Sequence, residues 1–453
     1  MEESPVRLPE GVRSIFFIGI GGISMSSMAF LSQKSGYEVS GSDRGESEMI
    51  ERLKKAGIRV ERGHDASHLG NAQLVVYTAA VGEDNPELIA AKERGIPCRK
   101  RAEFLGGILA EYRKKIGVCG MHGKSTTTSL LSHIFLSLSL DPSIIAGAEI
   151  PEIGGAFRVG GNEWMLFESD EYKAAFHSFP TDIAVCLNAE MDHVDFYHSI
   201  EDVIEAFRVY IRRAPTAVVH ADDENLLRAR EGYEGRLITF SLTDPSADLF
   251  ASEILLEPDS SSYTLFLHGE KLCRVTLPLT GPHYVFDSLA ALGGAYAAGL
   301  SLPEAAKTLI DFGGTHRRSE YRGEFNGVVV YDDYAHHPSE IRASLKGFRA
   351  KKKKIFCVFQ PHTYSRTKGL FDGFVSAFSD ADEVIFADIF AAREQNTFGV
   401  SSAMLAEKTK NARYFDSFEK IAAYLREAAK PGDLVITMGA GDVRRVGDLL
   451  LRN

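Results

Sequence analysis

Ile116-Gly117-Val118-Cys119-Gly120-Met121-His122-Gly123-Lys124-Ser125-Thr126-Thr127-Thr128 is the stretch that decides how this chain folds. An apolar run ends in a turn bracketed by Gly120 and Gly123. Lys124 and Ser125 follow, and then a helix-compatible segment from Ser129 to Leu140. A strand that feeds a helix through a glycine turn aims backbone N–H groups and the positive end of the helix at one point, which suits phosphate. The lysine adds a point charge, and the serine hydroxyl is a ligand for Mg²⁺. Only Met121 and His122 separate the two glycines, so the loop is shorter than the usual spacing. The competing reading is a tight strand-to-helix turn with a solvated lysine. Strand, glycines, Lys-Ser and helix occurring together in this order favour the phosphate loop.

Upstream, Ser14 to Ile20 reads as a strand that opens into Gly19-Ile20-Gly21-Gly22-Ile23-Ser24-Met25-Ser26. A helical pattern runs to Gln33, and the next strand, Glu38 to Ser42, ends at Asp43. That is a dinucleotide-fold arrangement, with phosphate on the helix N-terminus and an acidic residue on a ribose or base edge. Ser24 stands where the third glycine of that fingerprint belongs, so a nucleotide diphosphate other than NAD fits as well. Strand and helix patterns continue through Leu74 to Thr78, Pro86 to Arg94 and Arg101 to Glu111.

Downstream, Trp164 to Phe167 reads as a strand ending Glu168-Ser169-Asp170-Glu171-Tyr172. Ile183 to Leu187 ends Asn188-Ala189-Glu190-Met191-Asp192-His193-Val194-Asp195. Polar groups at the C-terminal ends of parallel strands sit where open α/β sheets bind ligands. Glu168 and Ser125 form a sensible Mg²⁺ pair because that ion takes oxygen ligands. His193 by spacing alone is a loop residue or a ligand. Ala217 to His220 and Leu237 to Phe240 read as further strands. Residues 249 to 279 alternate apolar and polar in short runs, as an antiparallel edge does. Gly281-Pro282-His283 opens an apolar helix, Ser288 to Ala298. Beyond it, strands Gly327 to Tyr331, Lys354 to Phe359, Glu383 to Ala387 and Leu434 to Met438 each end in polar residues and precede a helical pattern. Any one of these ends can be a helix cap; four together favour a site.

The chain has 453 residues, 44% hydrophobic and 25% charged, as ordinary globular proteins have. That length suits about three domains. A net charge of −11 argues against a general nucleic-acid binder. The basic run Lys351 to Lys354 reads as a solvated helix end. Five cysteines are scattered without metal spacing, and Cys119, Cys186 and Cys357 read as small core residues. No signal pattern or membrane-spanning run is visible, so a cytoplasmic protein with no membrane partner is expected. The expected fold class is α/β in three domains. Residues 1–113 form a Rossmann-like domain. Residues 114–311 form a central ATPase-like domain with a mostly parallel sheet. Residues 312–453 form a doubly wound C-terminal domain.

With these residues laid out, the chain resembles the Mur ligases over nearly its full length. The anchors are Gly19-Ile20-Gly21-Gly22, Gly41-Ser42-Asp43, Asp84-Asn85-Pro86, Gly120 to Thr128, Glu168 to Glu171, Asp192 to Asp195, Tyr331 to Pro338, Phe359 to Thr367 and Gly439-Ala440-Gly441. The resemblance implies an ATP-dependent amide ligase working through an acyl-phosphate, as monomer or homodimer. Its small-molecule substrates would be those of the alanine-adding branch, UDP-N-acetylmuramate and L-alanine. The absence of Lys from residues 194 to 213 agrees with that branch.

It further implies ATP on Gly120, Gly123, Lys124, Ser125, Thr126, His283 and Arg318 (or Arg317), with Asp332 or Asp333 at the ribose. Two Mg²⁺ ions would take Ser125, Glu168 and His193. The UDP-sugar would meet Gly21, Gly22, Asp43 and Thr78. Tyr334, His362 and Arg366 would face the amino acid. Lys124, His337 as proton acceptor and Arg366 would be the catalytic groups.

The chain departs from the family pattern at Ser24, Met121, Lys173, Ala175, Ser319 and Thr363, and at Tyr284 and Asp287, which replace two Asn beside the adenine. Three other readings follow. The first is the same chemistry with a murein tripeptide as acceptor, suggested by Lys173, Ala175 and Thr363. The second is a catalytically silent nucleotide-binding paralogue. The third is an NAD oxidoreductase, which leaves the phosphate loop unexplained.

Overall fold

The structure is a computed structural model describing residues 11–78, 81–194, 196–392 and 394–452. Residues 1–10 and 453 of the expected end domains, and Asp195 of the quoted run, lie outside the described residues.

The first sheet holds five parallel strands: β1 (Ser14–Ile18), β2 (Glu38–Asp43), β3 (Arg59–Arg62), β4 (Leu74–Tyr77) and β5 (Cys98–Lys100), in the order β3-β2-β1-β4-β5. All five residues of β1 are buried. A central parallel strand has both faces covered by crossover helices, which is why it reads as an unbroken apolar run.

The second sheet has ten strands: β6 (Lys114–Cys119), β7 (Ser143–Ile150), β8 (Gly155–Arg158), β9 (Trp164–Glu168), β10 (Ile183–Cys186), β11 (Thr216–His220), β12 (Arg236–Ser241), β13 (Leu249–Leu256), β14 (Ser261–Leu267) and β15 (Glu270–Leu277). They run β15-β14-β13-β12-β11-β10-β6-β9-β7-β8. The alternating segment 249–279 forms the antiparallel flank β13–β15, as its period of two requires. β6 lies between β9 and β10 with parallel pairing on both sides. The helix after it runs Lys124–Ser137 and packs beside the helix Pro282–Ala297, where Gly294 meets Leu131. It begins five residues before the helix-compatible segment marked in the sequence and ends three before it. Threonine disfavours helix by itself, but Thr126, Thr127 and Thr128 are buried against the sheet, and packing overrides propensity.

The third sheet contains β16 (Glu320–Phe325), β17 (Val328–Asp333), β18 (Ile355–Phe359), β19 (Glu383–Phe386), β20 (Ala412–Tyr414) and β21 (Leu434–Met438), in the order β16-β17-β21-β18-β19-β20. Only β16 is antiparallel within this sheet. It was not foreseen, because charged residues and a bulge at Gly323 hide its alternation. β7 and the edge strand β8 were not foreseen either; their pairing is interrupted between Ile145 and Ile150. Lys351 corrects another expectation. It is not solvated: its Nζ donates to Pro258 O at 2.6 Å and to Asp259 Oδ1 at 2.5 Å, docking the third sheet's helix Pro338–Arg349 onto the β13–β14 turn. Cys119, Cys186 and Cys357 are buried free thiols in strands, as read.

Candidate active site

Because β6 sits between β9 and β10, the loops at three adjacent strand ends converge. Gly120 and Gly123 adopt φ of +145° and +83°, which L side chains rarely tolerate. A Cβ on Gly123 would stand 2.5 Å from Asp287 Oδ1, so the position also needs glycine for space. Lys124 Nζ donates to Gly120 O at 2.6 Å and to Glu171 Oε1 at 3.0 Å. Glu171 is buried, and its Oε1 also lies 3.1 Å from His193 Nε2. Burial would raise the Glu171 pKa, yet Lys124 and His193 together hold it below the ordinary value.

Glu168 has the opposite balance. Burial pushes its carboxyl up, only partly offset by the Gly147 N–H, Lys124 and the Ser125 hydroxyl. The Gly147 N–H donates to Glu168 Oε1 at 2.5 Å. A half-buried carboxylate short of positive charge, beside a hydroxyl, is an oxygen donor set that suits Mg²⁺. Ser125 and Glu168 therefore fit such an ion. The His193 nitrogen aimed at this region is engaged by Glu171.

A cavity of about 330 Å³ opens beside the phosphate loop. His122, Gly123 and Thr126 line one side, and His283, Tyr284 and Asp287 another. Arg318, Asp333 and Glu340 close it from the third lobe. Asp333, not Asp332, lines this cavity. Asp332 is held within its own lobe by Arg317 Nε at 2.8 Å and Thr437 Oγ1 at 2.6 Å. His283 is half-buried with its Nδ1 enclosed and unpartnered, and desolvation with nearby Arg318 pushes its pKa down to about 4.

The third lobe meets the phosphate loop through a cluster of histidines and carboxylates. His122 Nε2 lies 3.6 Å from Glu190 Oε2, and its Nδ1 lies 3.7 Å from Glu340 Oε1. Burial alone would discharge His122, but the two carboxylates outweigh it and raise the imidazolium pKa to about 9. The His337 ring lies 4.3 Å from that of His122. Its Nδ1 accepts the Ser339 N–H at 3.3 Å and so caps the helix Pro338–Arg349. Glu340 completes the capping box by accepting from the His337 N–H at 3.2 Å. Burial, and then the charge on His122, bring the His337 pKa down to about 4.

A second cavity of about 250 Å³ is lined by Asp192, His193, His362, Arg366 and Glu394. It brings His362 and Arg366 together, with Nδ1 and Nη1 at 3.4 Å. Tyr334 instead lies under the guanidinium groups of Arg317 and Arg318, 4.9 and 5.3 Å from its ring centre.

In the first lobe, Asp43 braces the glycine turn. Its Oδ2 accepts the Gly21 N–H at 2.9 Å, and its Oδ1 accepts that of Gly45 at 3.0 Å. Gly22 starts the helix Ile23–Lys34, and Thr78 directly follows β4. Ser24 accepts from Arg101, which also pairs with Asp170 of the middle lobe at 2.7 Å.

Sequence reasoning gave no role to Glu171, Glu190, Asp192 or Glu340. The first three stood in runs that were noted only as acidic. Glu340 offers no signal beyond a third-position helix cap. In each case the partner comes from a distant segment.

Three family profiles cover most of the chain: "Mur ligase family, catalytic domain" at residues 14–113, "Mur ligase middle domain" at 118–295 and "Mur ligase, glutamate ligase domain" at 317–441. The chain belongs to the Mur ligase family. Among its relatives, a UDP-N-acetylmuramate–L-alanine ligase of Clostridium novyi is 42% identical over 452 residues, covering 98% of each chain. The crystal structure of a UDP-N-acetylmuramate-alanine ligase from Thermotoga maritima superposes with a TM-score of 0.83 at 26% identity, covering 97% of this chain and 98% of that one. A murein peptide ligase from Psychrobacter arcticus shares the fold, with a TM-score of 0.73 at 23% identity and coverage of 97% and 98%. This Mur ligase is an enzyme, and both cavities described above are lined by residues of its middle and third lobes. No helix among the described residues is long and apolar enough to cross a membrane.

Proposed function

We propose that the protein joins L-alanine to UDP-N-acetylmuramate at the expense of ATP, releasing ADP and phosphate, as a cytoplasmic step in making peptidoglycan precursors. Whole-length similarity to alanine-adding ligases supports this reading. The structural observation that carries it is the meeting of phosphate loop, Glu168 and the Arg366 cavity at one junction. The proposed lobe limits are residues 1–113, 114–311 and 312–453. The first binds the UDP-sugar through Gly21, Gly22, Asp43 and Thr78.

ATP occupies the cavity beside Gly123. Gly120, Gly123, Ser125 and Thr126 take the triphosphate, with Arg318 and His283 beside the nucleoside and Asp333, next to Asp332, at the ribose. Lys124 turns from Gly120 and Glu171 onto the phosphates. The muramyl carboxylate attacks the γ-phosphorus, the bond to the ADP oxygen breaks, and an acyl-phosphate forms. Ser125 and Glu168 would hold Mg²⁺, with His193 available to a second ion, and the metal would supply positive charge to the phosphoryl oxygens.

The alanine amine then attacks the acyl carbon, and phosphate leaves. Arg366 forks the alanine carboxylate, with His362 and Tyr334 around the amino acid. His337 takes the amine proton. To accept it at Nε2, the ring must carry its hydrogen on Nδ1, which costs the cap bond to Ser339. Lobe closure keeps water from the hydrolysable intermediate.

The test is ADP release by purified protein with ATP, Mg²⁺, UDP-N-acetylmuramate and either single amino acids or the murein tripeptide. ADP release dependent on both UDP-N-acetylmuramate and L-alanine is expected. Tripeptide-only turnover would reassign the acceptor, and ATP binding without turnover would mark a silent paralogue.

A further inference from the structure

Where the third lobe closes on the phosphate loop, two imidazoles and a carboxylate converge. The donor atoms of His122, Glu190 and His337 all lie within 4.8 Å of one another. Among the described residues, no other three His, Cys, Asp or Glu side chains bring their donor atoms this close. His122 Nε2 is enclosed and has no hydrogen-bond partner, and it stands 3.6 Å from Glu190 Oε2. His337 Nδ1 is 4.0 Å from the same oxygen. The two imidazole side chains are 11% and 6% exposed, while Glu190, at 40%, leaves a way in from solvent.

We propose that His122, Glu190 and His337 form a binding site for Zn²⁺, separate from the Mg²⁺ pair Ser125 and Glu168, in which the ion ties the third lobe to the phosphate loop. Two imidazole nitrogens with one carboxylate suit Zn²⁺, whereas Mg²⁺ takes oxygen ligands and keeps several waters. Three protein ligands and one water complete a tetrahedral Zn²⁺. Bonds of about 2.0–2.1 Å in that geometry set neighbouring ligand atoms about 3.4 Å apart. The separations to Glu190 Oε2 are close to this, so side-chain torsions can close the set without moving the backbone.

The surroundings already orient the ligands. His122 Nδ1 faces Glu340 Oε1 at 3.7 Å, and a carboxylate on the far side of the ring is the usual partner of a metal-bound imidazole. Glu190 Oε2 accepts the Ser339 hydroxyl at 2.7 Å. Asn188 holds the His122 backbone, accepting its N–H at 2.9 Å and donating to its carbonyl at 3.0 Å. Binding releases the proton of His122 Nε2 to solvent and leaves the hydrogen on Nδ1, towards Glu340. His337 Nδ1 carries no hydrogen, since it accepts the Ser339 N–H. Its lone pair passes from that bond to the metal, and the ring keeps its hydrogen on Nε2. This is the tautomer opposite to the one that takes the amine proton, so bound Zn²⁺ stops amide formation. That consequence rests on the proposed reaction; the site does not.

The test is titration of the full chain, stripped of metal and then kept in excess Mg²⁺, with Co²⁺ followed by Zn²⁺. The visible absorption of Co²⁺ is intense in a tetrahedral site and weak in an octahedral oxygen site. One Co²⁺ per chain with the intense band, displaced by Zn²⁺, is expected. Glu190→Gln changes a half-exposed side chain and should keep the fold, and it should weaken binding tenfold or more, as should His337→Asn. His193→Asn should leave the band and the affinity as they are. A weak octahedral band alone, a band that survives both Glu190→Gln and His337→Asn, or one lost in His193→Asn would overturn the inference. ADP release in excess Mg²⁺ gives a second readout. Zn²⁺ should inhibit the parent at about tenfold lower concentration than Glu190→Gln, and turnover that persists with the ion bound would overturn its effect on His337. An inactive protein that shows the intense band would sink the reading of function and leave the site standing.

Discussion

The Arg366 guanidinium grips the Asp192 carboxylate across the lobe boundary, Nε to Oδ1 at 3.1 Å and Nη2 to Oδ2 at 3.3 Å. Both side chains are largely buried. Burial alone would raise the Asp192 pKa, but Arg366 holds it well below the usual carboxylate range. The fork proposed for the alanine carboxylate is thus already filled by a carboxylate of the protein. Under that proposal, substrate and Asp192 would compete for it.

Arg366→Lys removes the planar fork and leaves a point charge. The KM for alanine should rise by about tenfold or more, since one good charge-assisted bond is worth about 1.5–3 kcal/mol. Asp192→Asn should lower that KM, because an amide competes poorly for the guanidinium. Steady-state kinetics with varied alanine measure both, and an Asp192→Asn enzyme with raised alanine KM would refute the competition.

Lys124 neutralises buried Glu171 at 2.9 Å as well as serving the proposed phosphate site. Lys124→Met should abolish turnover. It should also destabilise the fold by about 3 kcal/mol, because it strands a buried charge. Adding Glu171→Gln should restore the melting temperature without restoring turnover. Thermal melts beside an ADP-release assay separate the two effects; a single variant as stable as the parent would show that Glu171 needs no partner.

His337 caps a helix through its side chain, so its removal mixes two losses. Asn is also a strong N-cap. His337→Asn should keep thermal stability near that of the parent, while His337→Ala should cost about 1 kcal/mol. Both should lose amide formation if the ring accepts the amine proton. Full activity in His337→Asn would exclude that role.

His122 is a cation in the folded protein well above the pH at which an unfolded histidine discharges. Its folded pKa is raised to about 9 from 6.5, so its contribution is complete below about pH 6.5 and disappears as pH rises through about 9. The two partners that do this, Glu190 and Glu340, belong to different lobes. His122→Asn should remove a loss of unfolding free energy between these limits on the order of 3 kcal/mol, read by denaturant titration at each pH. An unchanged slope would mean that the carboxylates do not act on this ring.

The chain itself encodes the strands that carry the site. β1, β6, β9, β10, β18 and β21 are short apolar runs because each is covered on both faces, and their C-terminal ends carry the glycines, Lys124, Ser125 and Glu168. Local spacing is enough where one turn supplies all the atoms, as between Gly120 and Ser125. The Lys124–Ser137 helix start was misread because buried threonines look unhelical out of context.

What the amino-acid order determined is therefore the three-lobed α/β framework and the phosphate loop, since both depend on period and on neighbours in the chain. Tertiary structure decided the rest: that Asp333 and not Asp332 lines the cavity beside the phosphate loop, that Lys124 rests on Glu171, and that Arg366 holds Asp192. Those pairings depend on charges brought within 4 Å from segments tens to hundreds of residues apart. Electrostatic energy in a buried site depends on distance and burial, which no local pattern records.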